Sequence, residues 1–230
     1  MLRAVAAIAL TLFMVQARAQ VTGSAALDSD YRFRGVSLSD DRPAAQLAFG
    51  YDLPSSGWYA GGVMSTVRLD PTQAVQLLGY AGFAQRVLQD LSWEAGVRYT
   101  RFTGQESYAY AETYMGLTYK QLVARVYYAP DYFNFGYPVM YAELDDSLAL
   151  SEKWSVFGHV GYLRRSGNVA DYHTSRFRSD IRMGLDLALA PCDIRLSWST
   201  VHGANNDVFG YPASAGVTRD AWILGISYAW

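Results

Sequence analysis

From residue 21 on, segment after segment of the chain returns large apolar side chains at every second position, least clearly in the Gly-rich stretches 58–68 and 74–86. The last segment shows the pattern most plainly. Trp222, Leu224, Ile226, Tyr228 and Trp230 alternate with Ile223, Gly225, Ser227 and Ala229. A period of two belongs to a β-strand with one apolar face. The same alternation puts Leu91, Trp93, Ala95, Val97 and Tyr99 on one face, and Ile181, Met183, Leu185, Leu187 and Leu189 on another. It predicts twelve strands: 21–31, 43–53, 58–68, 74–86, 91–102, 108–120, 121–129, 139–150, 154–164, 177–190, 193–202 and 222–230. Asp146 interrupts the phase of the eighth and predicts a bulge there, or an early exit from the apolar zone.

The opposite face of these strands carries the charge. Asp28, Asp30, Arg32 and Arg34 share one phase at the end of the first strand. Glu94 and Arg98 share the polar face of the fifth, Glu112 lies on that of the sixth, and Arg125 on that of the seventh. Glu143 and Asp145 follow, then Arg178, Asp180, Arg182 and Asp186, and finally Arg195. An arginine facing lipid at mid-membrane costs about 2–4 kcal/mol, so a strand spanning a bilayer turns this face inward. These fifteen residues are the candidate lining of an interior passage. Hairpins centred near Gln105 and Asn134 set Arg98 opposite Glu112 and Arg125 opposite Glu143.

Connections complete the architecture. Those after strands two, four, six, eight and ten are short, as at 54–57 and 191–192, whereas those after odd strands are longer, notably 130–138, 165–176 and 203–219. Alternating short and long connections predict an all-β, antiparallel, up-and-down transmembrane barrel. An even strand number places both termini on the short-turn side, the periplasm. A soluble sandwich would need polar residues on the face that is apolar here. Residues 1–19 read as a cleaved signal peptide: Arg3, a short apolar run, then Ala17-Arg18-Ala19. The barrel is residues 20–230.

Composition narrows the function. Tyrosine (18) and glycine (20) are abundant and 17% of residues are charged. Without Arg3 and Arg18, seventeen basic residues face twenty-one acidic ones and no basic stretch stands out, so nucleic acid is not an expected partner. Cys192 is alone, which excludes an internal disulfide. His159, His173 and His202 lack metal-ligand spacing, and no cofactor is expected. These histidines and Ser166, Ser197 and Ser199 form no nucleophile motif, so catalysis is not expected.

The segment Ser29-Asp30-Tyr31-Arg32-Phe33-Arg34-Gly35-Val36-Ser37, with Pro43-Ala44 and then Gly57-Trp58-Tyr59-Ala60-Gly61-Gly62, resembles the TorF-type porin family of proteobacteria. That resemblance implies an outer-membrane barrel of Gram-negative bacteria and supplies no catalytic residue. The expectation is a channel for passive passage of small hydrophilic solutes, set in outer-membrane lipid. The aromatic end Trp222, Leu224, Ile226, Tyr228 and Trp230 would be the signal read by the barrel-assembly machinery. Two alternatives stand beside it. One is a closed barrel binding a partner through external loops such as 203–212. The other is an outer-membrane lipid hydrolase.

Overall fold

The computed structural model describes residues 20–69, 72–166, 177–203 and 219–230. Residues 1–19, where a signal peptide is expected, and most of the loops 165–176 and 203–219 lie outside the described residues. The strands are β1 (Gln20–Asp28), β2 (Arg32–Phe33), β3 (Val36–Ser37), β4 (Ala44–Asp52), β5 (Trp58–Leu69), β6 (Thr72–Leu88) and β7 (Leu91–Phe102). After them come β8 (Tyr110–Tyr119), β9 (Leu122–Ala129), β10 (Val139–Ala149), β11 (Trp154–Arg165), β12 (Phe177–Leu189), β13 (Cys192–His202) and β14 (Ala221–Ala229). β1 and β4–β14 form one closed antiparallel barrel of twelve strands, each paired with its neighbours in sequence, and β2 and β3 form a separate small hairpin. Closure leaves no unpaired strand edge, the condition for backbone in hydrocarbon.

The barrel closes where β14 meets β1, with Ser24 opposite Ala229 and Asp28 opposite Gly225. Trp230 extends this seam by two backbone bonds, donating to Gly23 O at 3.0 Å and accepting from Gly23 N at 3.1 Å. Its indole fills the space that a side chain at Gly23 would need, and it stacks on Tyr228. The wall is apolar outside: Met115, Val160, Met183, Trp222 and Leu224 are all about half exposed or more. So much apolar surface marks a face built for lipid rather than water.

Three expectations are corrected. The first strand stops at Asp28, and the chain then turns into the barrel instead of running on to Tyr31. No bulge occurs at Asp146, which pairs in unbroken register with Gly158. A register shift lies instead between Arg86 and Leu88, where β6 reaches a short turn. Long and short connections do not alternate throughout either, because only residues 70 and 71 join β5 to β6. Those two strands prolong the wall where the other hairpins have loops.

The interior is packed unevenly. Val36, Leu38, Val67, Leu69, Phe102, Tyr110, Ala129, Tyr132, Phe133, Val139 and Leu163 form a buried apolar cluster. All its strand members lie toward the long-loop end, because they sit next to those connections. Two segments fill this half: the β2–β3 hairpin, and the short 3-10 turn Tyr132–Asn134 between β9 and β10.

Candidate functional site

The inward hairpin is built on a tight turn. Phe33 pairs with Val36, leaving Arg34 and Gly35 as a two-residue loop. Both have positive φ, 51° and 80°, the requirement of a type I′ hairpin. A side chain at Gly35 would strike the β-carbons of Asp180 and Val201 on the wall, so only glycine fits. Asp30 holds the hairpin base, accepting from Arg32 Nε at 2.6 Å, Ser37 Oγ at 2.6 Å and Ser39 Oγ at 3.0 Å. Tyr31 and Leu38 fasten it to the wall: Tyr31 Oη donates to Gln76 at 2.7 Å, and Arg68 N donates to Leu38 O at 2.7 Å.

Arg34 joins the tip to the far wall. Its guanidinium donates to Glu112 Oε1 at 2.8 Å and to Tyr132 Oη at 3.1 Å, and lies 4.2 Å from the Tyr141 ring centre. Arg98 reaches the other oxygen of Glu112 through Nε at 2.7 Å. One buried carboxylate thus serves two guanidiniums, and tyrosine and phenylalanine rings surround them. Burial also pushes the Tyr132 phenol well above its ordinary pKa, keeping it a neutral donor and acceptor.

Toward the short turns the interior is a chain of paired charges. Glu94 accepts from Arg125 Nε at 2.5 Å and from Tyr59 Oη at 2.5 Å. Arg125 lies opposite Glu143, 3.9 Å away, and Tyr127 Oη donates to Glu143 at 2.8 Å. His159 bridges Asp145 at 2.7 Å and Asp180 at 3.0 Å, with Tyr141 Oη 3.1 Å from its Nε2. Asp186 binds Arg195 through two bonds of 2.6 and 3.0 Å. Asp28 accepts from Gln46 and Arg182 donates from Nε to Ser197 Oγ at 3.0 Å, whereas Arg178, at the long-loop start of β12, is fully buried away from them.

Two cavities of this half receive these groups. One, about 570 Å³, is bounded by Asp28, Arg32, Gln46, Arg182, Asp186 and Arg195 and reaches the turn at Glu152 and Lys153. The other, about 560 Å³, lies among Tyr59, Tyr80, Glu94, Arg98, Arg125 and Tyr127.

The two pairings read from hairpin symmetry, Arg98 with Glu112 and Arg125 with Glu143, are both present in the register. Glu94 is nonetheless the closer partner of Arg125, and Arg34 shares Glu112. Arg32 and Arg34 are not at an external mouth or strand end but inside, on the hairpin. His159 and the tyrosines at 59, 114, 127 and 141 also face the interior, although they are not among the lining candidates named from the sequence. Their inward phase was available in the alternation, but neutral side chains carry no cost in lipid large enough to flag them. Glu143, Asp145 and His159 bring one metal-ligand atom each within 4.8 Å of one another. Both nitrogens of His159 already meet carboxylates, so the ring has no free nitrogen to offer a cation. Among the described residues its hydrogen bonds go to these carboxylates and Tyr141, none to a serine.

A family model described as "Bacterial protein of unknown function (Gcw_chp)" matches residues 15–227. No curated protein sequence matches the chain. Among solved structures, the barrel is similar to the KdgM porin, with TM-score 0.57, 9% identity, and coverage of 91% of this chain and 99% of that one. The NanC porin gives TM-score 0.57, 10% identity, and 91% and 99% coverage. The toluene transporter TodX of Pseudomonas putida gives 0.50, 11% identity, and 91% and 89% coverage. At such identities the likeness is one of fold.

Proposed function

The chain belongs to the Gcw_chp family, and from that premise we propose that it is an outer-membrane channel for small hydrophilic solutes, closed at rest by its own hairpin. The observation that carries this reading is the charged, cavity-bearing interior behind an apolar outer wall. A barrel serving only as scaffold gains nothing from interior ions, since buried ion pairs are often no more stabilising than apolar packing. The fold shared with porins supports the same conclusion. Passage requires the β2–β3 hairpin to leave the lumen and the Tyr132–Asn134 turn, tied to it through Arg34, to shift with it, because Leu38, Tyr132 and Phe133 fill the long-loop half.

The test is planar-bilayer recording of the refolded protein beside a variant in which residues 31–39 are replaced by a glycine-serine linker. Rare, small steps from the wild type and larger, persistent ones from the variant are expected. Silence from both, with heat-modifiable migration intact on gels, would overturn the channel. It would favour a barrel that binds a partner through its loops, a reading supported by the filled long-loop half.

A further inference from the structure

Arg182, on β12, differs from the arginines that join the charge pairs of the interior. Arg32, Arg34, Arg98, Arg125 and Arg195 each reach a carboxylate within hydrogen-bonding distance. Arg182 does not: no carboxylate lies within 4 Å of it among the described residues, and its one hydrogen bond runs from Nε to Ser197 Oγ. Ser197 is wholly buried in the wall, so that bond fixes the guanidinium plane. The two terminal nitrogens are then left for the 570 Å³ cavity that Arg182 lines. A guanidinium held by Nε presents two parallel N–H donors, the fork that fits a carboxylate.

Its surroundings sharpen the point. Arg195 lies on the neighbouring strand, occupied by Asp186 but adding positive potential, with its guanidinium carbon 4.4 Å from the Phe157 ring centre. Arg182 is 6.0 Å from the same ring. Asp28, also on the cavity, is within electrostatic range of Arg182 yet accepts its hydrogen bond from Gln46. A partly buried cation without a bonded counter-ion is costly unless something else solvates it. The cavity has the size of a small-molecule site.

We propose that this cavity is a binding site for a small organic carboxylate, such as a sugar acid, with the Arg182 fork taking the carboxylate. The proposal deepens the channel reading and rests on it for its biological sense: the site would be the selective station on the short-turn side of the hairpin. The carboxylate accepts two N–H bonds from Arg182, and hydroxyls of the solute face Gln46 and the polar wall. Arg195 supplies long-range attraction. Asp28 opposes it, which keeps binding weak enough for release.

Equilibrium binding to the refolded barrel in zwitterionic detergent tests the site without requiring conduction. Sodium gluconate is the probe and sorbitol its uncharged match, each followed by calorimetry at fixed ionic strength. Gluconate should bind and sorbitol should not. Arg182→Gln should weaken gluconate by about tenfold or more, the loss of a charge-assisted pair. Arg182→Lys should recover only part of it, since an ammonium lacks the fork. Asp28→Asn should strengthen binding several-fold, a change of sign that general destabilisation would not produce. Should Arg182→Gln fail to fold, the other two variants still decide the matter. Equal binding of sorbitol, unchanged gluconate affinity in both Arg182 variants, or no gain from Asp28→Asn would each overturn the site. Conductance without gluconate binding would reject the site and leave the channel standing; binding by a barrel silent in both forms would do the reverse.

Discussion

Glu112 is the residue on which most of the interior depends. It is 2% exposed and takes Arg34 on one oxygen and Arg98 on the other. Removing it leaves two buried guanidiniums facing each other. Glu112→Gln should therefore destabilise the barrel by about 3–5 kcal/mol, the range for breaking a buried ion pair from one side. The midpoint of urea unfolding, read by the loss of heat-modifiable migration, measures this. Removing Arg98 together with Glu112 should not restore wild-type behaviour, because Arg34 would still lack its carboxylate. A simple pair would be rescued by the double change; this triad should not be. Arg34 itself sits at φ 51°, a strained backbone for a non-glycine residue. Its ion pair and ring contacts offset that strain in place.

At the scale of elements, the twelve wall strands could be read from the sequence because each needs one lipid face and one interior face. The hairpin could not. Asp28, Asp30, Arg32 and Arg34 continue the alternation of β1 without a break, since β2 is itself extended. Periodicity shows that a segment is extended, never that the chain has reversed into the lumen. The signals that could have shown it were Ser29-Asp30, a turn pair, and Gly35, a residue suited to a tight turn. Register was legible for Arg98 and Arg125 because symmetrical hairpins fix it. The further partners were not, since Arg34 reaches Glu112 from 78 residues away and Arg125 turns to Glu94, 31 residues away. Gly35→Ala makes the hairpin's fit testable. The added methyl collides with Asp180 and Val201, so it should displace the tip and raise single-channel open probability, with little effect on the folded fraction.

For the whole molecule, the even strand number puts the start of β1, the end of β14 and the five turns that follow β4, β6, β8, β10 and β12 at one end of the barrel. Cys192 lies there, half-buried at the start of β13. A membrane-impermeant maleimide should leave Cys192 unlabelled on intact cells and react once the outer membrane is permeabilised. In a Cys192→Ser background, a cysteine at Asn134, exposed on the β9–β10 connection, should label from outside. Labelling of Cys192 on intact cells would mean that the barrel sits the other way up.

The seam between β1 and β14 has a kinetic meaning. Every other pair in the wall joins neighbours in sequence, whose ends are tied by one turn or loop, whereas this one joins residues 20–28 to 221–230. Its entropic cost of closure is the largest in the molecule and is met only when the rest of the wall already curves the two ends together. The seam is therefore the last contact to form, and Trp230 with Gly23 is its outermost rung. Until that rung closes, β1 and β14 are both open edges, the state most prone to pair with another chain. Gly23→Leu, which evicts the indole, should lengthen that exposed interval. Time-resolved refolding into vesicles should show the first eleven strand pairings forming at the normal rate, followed by a slower final phase and more aggregate.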